Sequence, residues 1–132
     1  MPSTFLLEIA TPERLLVREQ VTEAQIPAAE GYIGVLPEHA PLLGEMGIGD
    51  LSYVAAGRRR DVVVHGGWVE VLPDHVRVLT HRAEHADEID PARARRSLER
   101  ARERLTAPGV DVARALNAMK RAQKRLAAAE RK

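Results

Sequence analysis

The chain has 132 residues, with 20 Lys and Arg against 19 Asp and Glu and a formal net charge of +1. That length accommodates one ordinary domain, or one domain with a small appendage. With no Cys there are no disulfides or thiolate metal sites, and no apolar run approaches the roughly 18 residues of a membrane helix. The N-terminus has no basic segment leading into an apolar run, so no signal peptide is expected, and the composition fits a soluble protein on the cytosolic side. Only four residues are Phe, Tyr or Trp, so the core must be built from Val, Leu, Ile and Ala.

From Phe5 to Leu79 the pattern is that of short strands. Phe5–Ala10 precedes a turn cluster at Thr11-Pro12-Glu13, and Arg14–Val17 and Val21–Ile26 are further β-prone runs. Gly31–Leu36 ends at Pro37. Val62-Val63-Val64 leads through His65-Gly66-Gly67 into Trp68–Leu72, where Gly-Gly would supply the positive φ of a tight hairpin turn. Pro73-Asp74 turns the chain again into Val76–Leu79. Short strands separated by turn signals, with no helical period between them, predict an antiparallel β-sandwich or barrel. Residues 80–87 are polar and read as a linker, so the β-domain is expected to span residues 1–87.

At Asp90-Pro91 the signals change together. Asp is a good N-cap, and Pro suits the first helical position, where its missing N–H would have no partner. Ala94, Leu98, Ala101 and Leu105 then recur at steps of four, three and four, a narrow apolar stripe on a helix. Ala107-Pro108-Gly109 stops it, Asp111 caps a second helix, and Ala115, Met119, Ala122 and Leu126 repeat the spacing. The expected fold is mainly β plus α: an antiparallel β-sandwich, then an antiparallel two-helix hairpin over residues 88–132. Half of the stripe is Ala, so burial at ~25 cal/mol per Å2 gives only a few kcal/mol before ordering costs. The hairpin should therefore dock weakly and be detachable.

Charge divides at the same point. Residues 91–132 hold 13 Lys or Arg and four acids, a net +9, whereas the first 90 residues carry −8. Such asymmetry implies mutual attraction of the two parts, an acidic partner, or simply a solvated basic face.

An independent catalytic centre is not expected. His81 and His85 have helical ligand spacing but no third ligand, so His39, His65, His75, His81 and His85 are read as solvated or locally bonded rather than as a metal site. Ser3, Ser52 and Ser97 lie in no nucleophile elbow, and no GxxxxGK[ST] loop is present. The basic tail has no aromatic residue for base stacking, which argues against nucleic acid. Arg93 and Arg100 share one helix face, and so do Arg121 and Arg125. Folded together they could offer guanidinium forks to a polyphosphate, with Asp90 and the backbone near Ile89 at one end for a base edge. Spacing alone is explained more readily by plain surface arginines.

Glu30-Gly31-Tyr32-Ile33-Gly34-Val35-Leu36-Pro37-Glu38-His39-Ala40-Pro41-Leu42, Gly66-Gly67-Trp68-Val69-Glu70-Val71 and Ile89-Asp90-Pro91-Ala92-Arg93-Ala94 together resemble the epsilon subunits of bacterial F-type ATP synthases. The resemblance runs from the first strand to the second helix. It implies a ten-strand β-sandwich followed by two helices, in a non-catalytic rotor subunit of the central stalk. Such a subunit binds gamma, touches the membrane ring of c subunits, and couples proton-driven rotation to ATP synthesis. It also implies that the helices can open toward the alpha and beta subunits and inhibit ATP hydrolysis. The location implied is peripheral, on the cytoplasmic face of the bacterial plasma membrane, with membrane association only through the complex. No cofactor is required, and ATP is a candidate regulatory ligand. The Ile-Asp-x-x-Arg-Ala motif, which binds ATP in several members, falls on Ile89, Asp90, Arg93 and Ala94. Arg100, Arg121 and Arg125 match the phosphate-facing positions, and Glu84 matches an acidic one. Gly31, Tyr32, Ile33, Pro37 and His39 are the implied contacts with the c-ring and gamma. Tyr32 stands where some members carry a polar residue, and the short loop 106–110 implies reduced reach. A free-standing ATP-binding sensor and a basic nucleic-acid accessory protein are the alternative readings.

Overall fold

In the computed structural model, which describes residues 3–130, eight strands precede a 3-10 turn and two helices. The expected end of the hairpin at residue 132 and the charges of Arg131 and Lys132 lie outside the described residues. The strands are β1 (Phe5–Ala10), β2 (Leu15–Val21), β3 (Glu23–Ala28), β4 (Gly31–Val35), β5 (Leu42–Ala55), β6 (Arg58–Val71), β7 (His75–Leu79) and β8 (Ala83–His85). The 3-10 turn is Ala86–Glu88, and the helices are α1 (Pro91–Leu105) and α2 (Val112–Glu130).

The hydrogen-bonded order is β2-β1-β7-β6-β5-β3-β4, with β8 paired to β6. Pairing is antiparallel except between β1 and β7, which run parallel with Leu7 opposite Val76. This path becomes a sandwich because β5 and β6 change layer midway. In β6 the residues facing the main core are Val62 and Val64, then Val69 and Val71, so the inward parity switches across Gly66-Gly67. The partner β5 switches opposite it, from Met46 to Leu51 and Tyr53. Where the resemblance implies ten strands there are eight among the described residues, because these two 14-residue strands each serve both layers unbroken.

Two local expectations are corrected here. Gly66 and Gly67 do adopt positive φ, 75° and 111°, but inside β6 rather than in a hairpin turn. A Cβ at Gly67 would fall against the Leu79 carbonyl and 2.8 Å from Thr80 Cα, so glycine is required by the close approach of that backbone. The tight turn lies instead at Ala56-Gly57, both with positive φ, joining β5 to β6. Residues 80–87 are not a linker: Thr80 is buried, Ala83–His85 pair with Val64, Val63 and Val62, and Ala86–Glu88 form the 3-10 turn.

The Asp90 carboxylate accepts from Ala92 N–H at 3.0 Å and Arg93 N–H at 3.4 Å, with Pro91 opening α1 as expected. Asp111 accepts from Arg114 N–H at 3.2 Å at the start of α2. Ala94, Leu98 and Ala101 are buried along α1. Along α2 the buried residues are Ala115, Ala122, Ala128 and Ala129, while Met119 and Leu126 are half-buried. α2 packs on β5, β6 and the 3-10 turn, and α1 is held chiefly by α2. Val63, Ala86, Ile89, Ala94, Ala128 and Ala129 form a small second core under the hairpin. Val62-Val63-Val64 is continuously apolar because this half of β6 is covered on both faces.

Candidate functional site

The seam between hairpin and sandwich contains a cavity of about 400 Å3 lined by twelve residues, six of them arginines: Arg82, Arg93, Arg100, Arg104, Arg121 and Arg125. Glu84 is the one carboxylate in the lining, and His65, Ser97 and three alanines complete it. Each wall follows from local structure. Arg93, Arg100 and Arg104 sit seven and four residues apart on one face of α1, and Arg121 and Arg125 are one turn apart on α2. Glu84 comes from β8, held beside Val63 by strand pairing. His65 lies on β6 two residues beyond Val63, on the same outward face.

Glu84 is the link between the two parts. Its carboxylate accepts from Arg125 Nε at 2.6 Å and from Arg125 Nη2 at 2.9 Å, a bidentate fork across the seam. Burial alone would raise the Glu84 pKa. The His65 ring, the Arg125 guanidinium and the charge of Arg82 outweigh it and hold the carboxyl down at about 2. His65 Nε2 lies 3.7 Å from Glu84 Oε1, beyond hydrogen-bond reach. Six guanidinium groups around one carboxylate leave the cavity strongly electropositive, suited to an anion carrying several charges.

Of the residues expected to bind ATP, Glu84, Arg93, Arg100, Arg121 and Arg125 therefore converge on one cavity. Ile89, Asp90 and Ala94 do not line it: Ile89 and Ala94 are buried in the second core, and the Asp90 carboxylate caps α1. Sequence reasoning missed Arg104, which the i, i+4 spacing from Arg100 signals. It also missed Arg82 and His65, which only the pairing of β6 with β8 brings near Glu84.

The other expected contacts lie away from this seam. Gly31, Tyr32 and Ile33 belong to β4, and Pro37 and His39 to the loop before β5. Tyr32 is 57% exposed. The loop is held by Glu38 N–H donating to the Pro73 carbonyl at 2.8 Å, with Glu38 at a φ of 67°. A second surface was not legible in the sequence. Register places Trp68, Leu79, Ala10 and Leu15 side by side across four strands, and the three large side chains are 54%, 53% and 52% exposed. The next row is charged, with Glu8 between Arg18 at 3.6 Å and Arg77 at 3.7 Å. An exposed apolar row with a polar border is the usual anatomy of a protein-binding surface.

Among the described residues no group of three or more His, Asp or Glu could hold a metal ion, and no helix is long and apolar enough to cross a membrane.

Residues 4–86 match the family of the ATP synthase Delta/Epsilon chain beta-sandwich domain, and residues 87–130 that of its long alpha-helix domain. The ATP synthase epsilon chain of Solibacter usitatus is 60% identical over 110 residues, covering 83% of this chain and 82% of that one. Those of Koribacter versatilis and Carboxydothermus hydrogenoformans are 46% and 47% identical over 109 and 105 residues, covering 83% and 80% of this chain and 77% and 78% of theirs. A chain in the cryo-EM structure of Euglena gracilis mitochondrial ATP synthase superimposes with a TM-score of 0.86 at 24% identity, over 97% of this chain and 82% of that one, a likeness of fold. By domain order, sequence and fold, this chain belongs to the ATP synthase delta/epsilon family, as a non-catalytic epsilon subunit of the central stalk.

Proposed function

We propose that the two helices are a regulatory element that inhibits ATP hydrolysis when extended, and that ATP in the arginine-lined cavity holds them folded. The observation that carries this reading is the convergence of Glu84 from the sandwich, Arg93 and Arg100 from α1, and Arg121 and Arg125 from α2 on one cavity. These walls meet only while the hairpin lies on the sandwich. A triphosphate bridging them would therefore favour the folded state by binding it alone. Asp90 and the Ile89 backbone stand at the hinge between strand and helix, the place for a base edge, and Ala94 packs α1 onto the second core beside them.

The remaining surfaces fit a rotor subunit that couples proton-driven rotation of the c-ring, through gamma, to ATP synthesis. The apolar row of Trp68, Leu79 and Leu15 is the surface for gamma, and Gly31, Tyr32, Ile33, Pro37 and His39 form the surface toward the c-ring. The extended helices, net basic, would meet alpha and beta. The chain then sits at the cytoplasmic face of a bacterial plasma membrane through the complex alone.

Two experiments test this reading. Ending the chain after Glu88 should raise ATP hydrolysis by the assembled enzyme while leaving the subunit bound, and unchanged hydrolysis would contradict the inhibitory role. Isothermal titration of the isolated chain should give heat with ATP, reduced at least tenfold in affinity by Arg100→Ala or Arg121→Ala. No heat at millimolar ATP would contradict the ligand.

A further inference from the structure

The sandwich contributes three residues to the cavity wall, His65, Arg82 and Glu84, and the rest of the lining comes from α1 and α2. An anion holds the hairpin down only if it gains something from the sandwich. A ligand touching the helices alone binds docked and undocked hairpins equally and shifts nothing. Two of the three sandwich residues offer an anion no donor. Glu84 is itself a carboxylate, already forked by Arg125 at 2.6 and 2.9 Å. The His65 ring nitrogens are buried, and Nε2 is turned to Glu84 Oε1 at 3.7 Å. Undocking would even improve the helices as an anion site, because it frees Arg125 from Glu84.

Arg82 remains. We propose that Arg82 couples the bound polyphosphate to docking, its guanidinium donating from the sandwich to a phosphate oxygen that the helical arginines hold from the other side. This rests on the cavity taking a polyphosphate, as argued above. Arg82 is exposed, and among the described residues no hydrogen bond or ion pair engages its guanidinium. Its backbone is fixed: the Arg82 carbonyl accepts from His65 N–H at 3.0 Å and from Thr80 Oγ1 at 3.1 Å. The next residue, Ala83, is buried and paired with Val64. Strand alternation then puts Arg82 on the side of Glu84, the face that the hairpin covers. Its charge is felt there, since Arg82 helps to hold the Glu84 pKa down. A free guanidinium on a pinned backbone, facing Arg100 and Arg121 across the cavity, is the contact that only the docked hairpin allows.

The test uses the full chain with inorganic tripolyphosphate as the probe, and separates binding from docking. Titration calorimetry reads the first. Spin labels on Gln20→Cys in β2 and Gln123→Cys in α2, both exposed, read the second. In this labelled parent, saturating probe should raise the ratio of docked to undocked hairpin about tenfold, the worth of one charge-assisted bond. Arg82→Gln should still bind the probe but lose that rise, or reverse it as the freed Arg125 favours the undocked state. Arg82→Lys, which keeps a point charge, should retain part of it. An Arg82→Gln chain that closes on the probe as the parent does would overturn the proposal. Independently of any variant at this position, the Arg82 Nε–H resonance should shift on adding tripolyphosphate, while that of Arg18, paired with Glu8 on β1, stays fixed. An unmoved Arg82 would overturn the proposal, even if Arg82→Gln fails to fold. If the probe does not bind the parent, or binds without closing it, the cavity reading fails and this inference with it. If closure occurs regardless of Arg82, only this inference fails.

Discussion

Glu84 is pulled in two directions, and the outcome sets a pH dependence. Burial penalises its charge, yet His65 and Arg125 lower its pKa from 4.5 to about 2. A carboxylate depressed in the folded state contributes stability that is fully present above 4.5 and is lost as pH falls toward 2. The shift corresponds to about 3 kcal/mol at neutral pH. Glu84→Gln should therefore destabilise the folded chain at pH 7, and only the Arg125 share of that loss falls on the docking of the hairpin. Urea melts should show this difference shrinking below pH 4.5 and vanishing only as pH falls through about 2. Tyr53 acts at the other end of the scale. Burial, a hydrogen bond with Glu19 and that residue's charge raise its pKa from 10.0 to about 12. Since the unfolded chain ionises first, stability should fall as pH rises above 10.0, and Tyr53→Phe should remove that alkaline loss.

Among elements, legibility followed how local the determinant is. The start of α1 was readable because Asp90 and Pro91 are adjacent and the cap is a bond between near neighbours. Asp90→Ala should cost about 1 kcal/mol, measurable as earlier exchange of the Ala92 and Arg93 amides. β5 was not readable: Gly44, Gly47 and Gly49 interrupt its apolar pattern, although a 14-residue partner strand pairs with it throughout. Gly66-Gly67 gave the correct sign of φ and the wrong role, because the demand for glycine comes from Leu79 and Thr80, far along the chain. Gly67→Ala should unfold the chain by at least about 2 kcal/mol, whereas Ala56→Gly in the true turn should be close to neutral. β8 was mistaken for a linker because Ala-Glu-His has little strand propensity and is fixed by pairing to β6. The cavity shows the same division. Its helical arginines share faces at readable spacings, whereas His65 and Arg82 enter through strand pairing.

At the scale of the molecule, two cores of unequal strength meet at the seam. The sandwich core draws on buried Phe5, Leu7, Ile9, Ile26, Leu51, Tyr53 and many valines. The second core has Val63 and Ile89 with four alanines, so it offers about 1.5–3 kcal/mol from each large side chain and little more. Folding also gathers six guanidinium groups around one carboxylate, a repulsion that an added polyanion would relieve. Under the proposed function, a hairpin held this lightly exchanges between folded and extended states, with ATP setting the balance. The absence of Cys allows a direct measurement. Spin labels would be placed on Gln20→Cys in β2 and Gln123→Cys in α2, both exposed, and their separation read by double electron–electron resonance in the assembled stalk. Two distance populations are expected, with the short one growing on addition of a non-hydrolysable ATP analogue. A single distance that ignores the nucleotide would contradict the account.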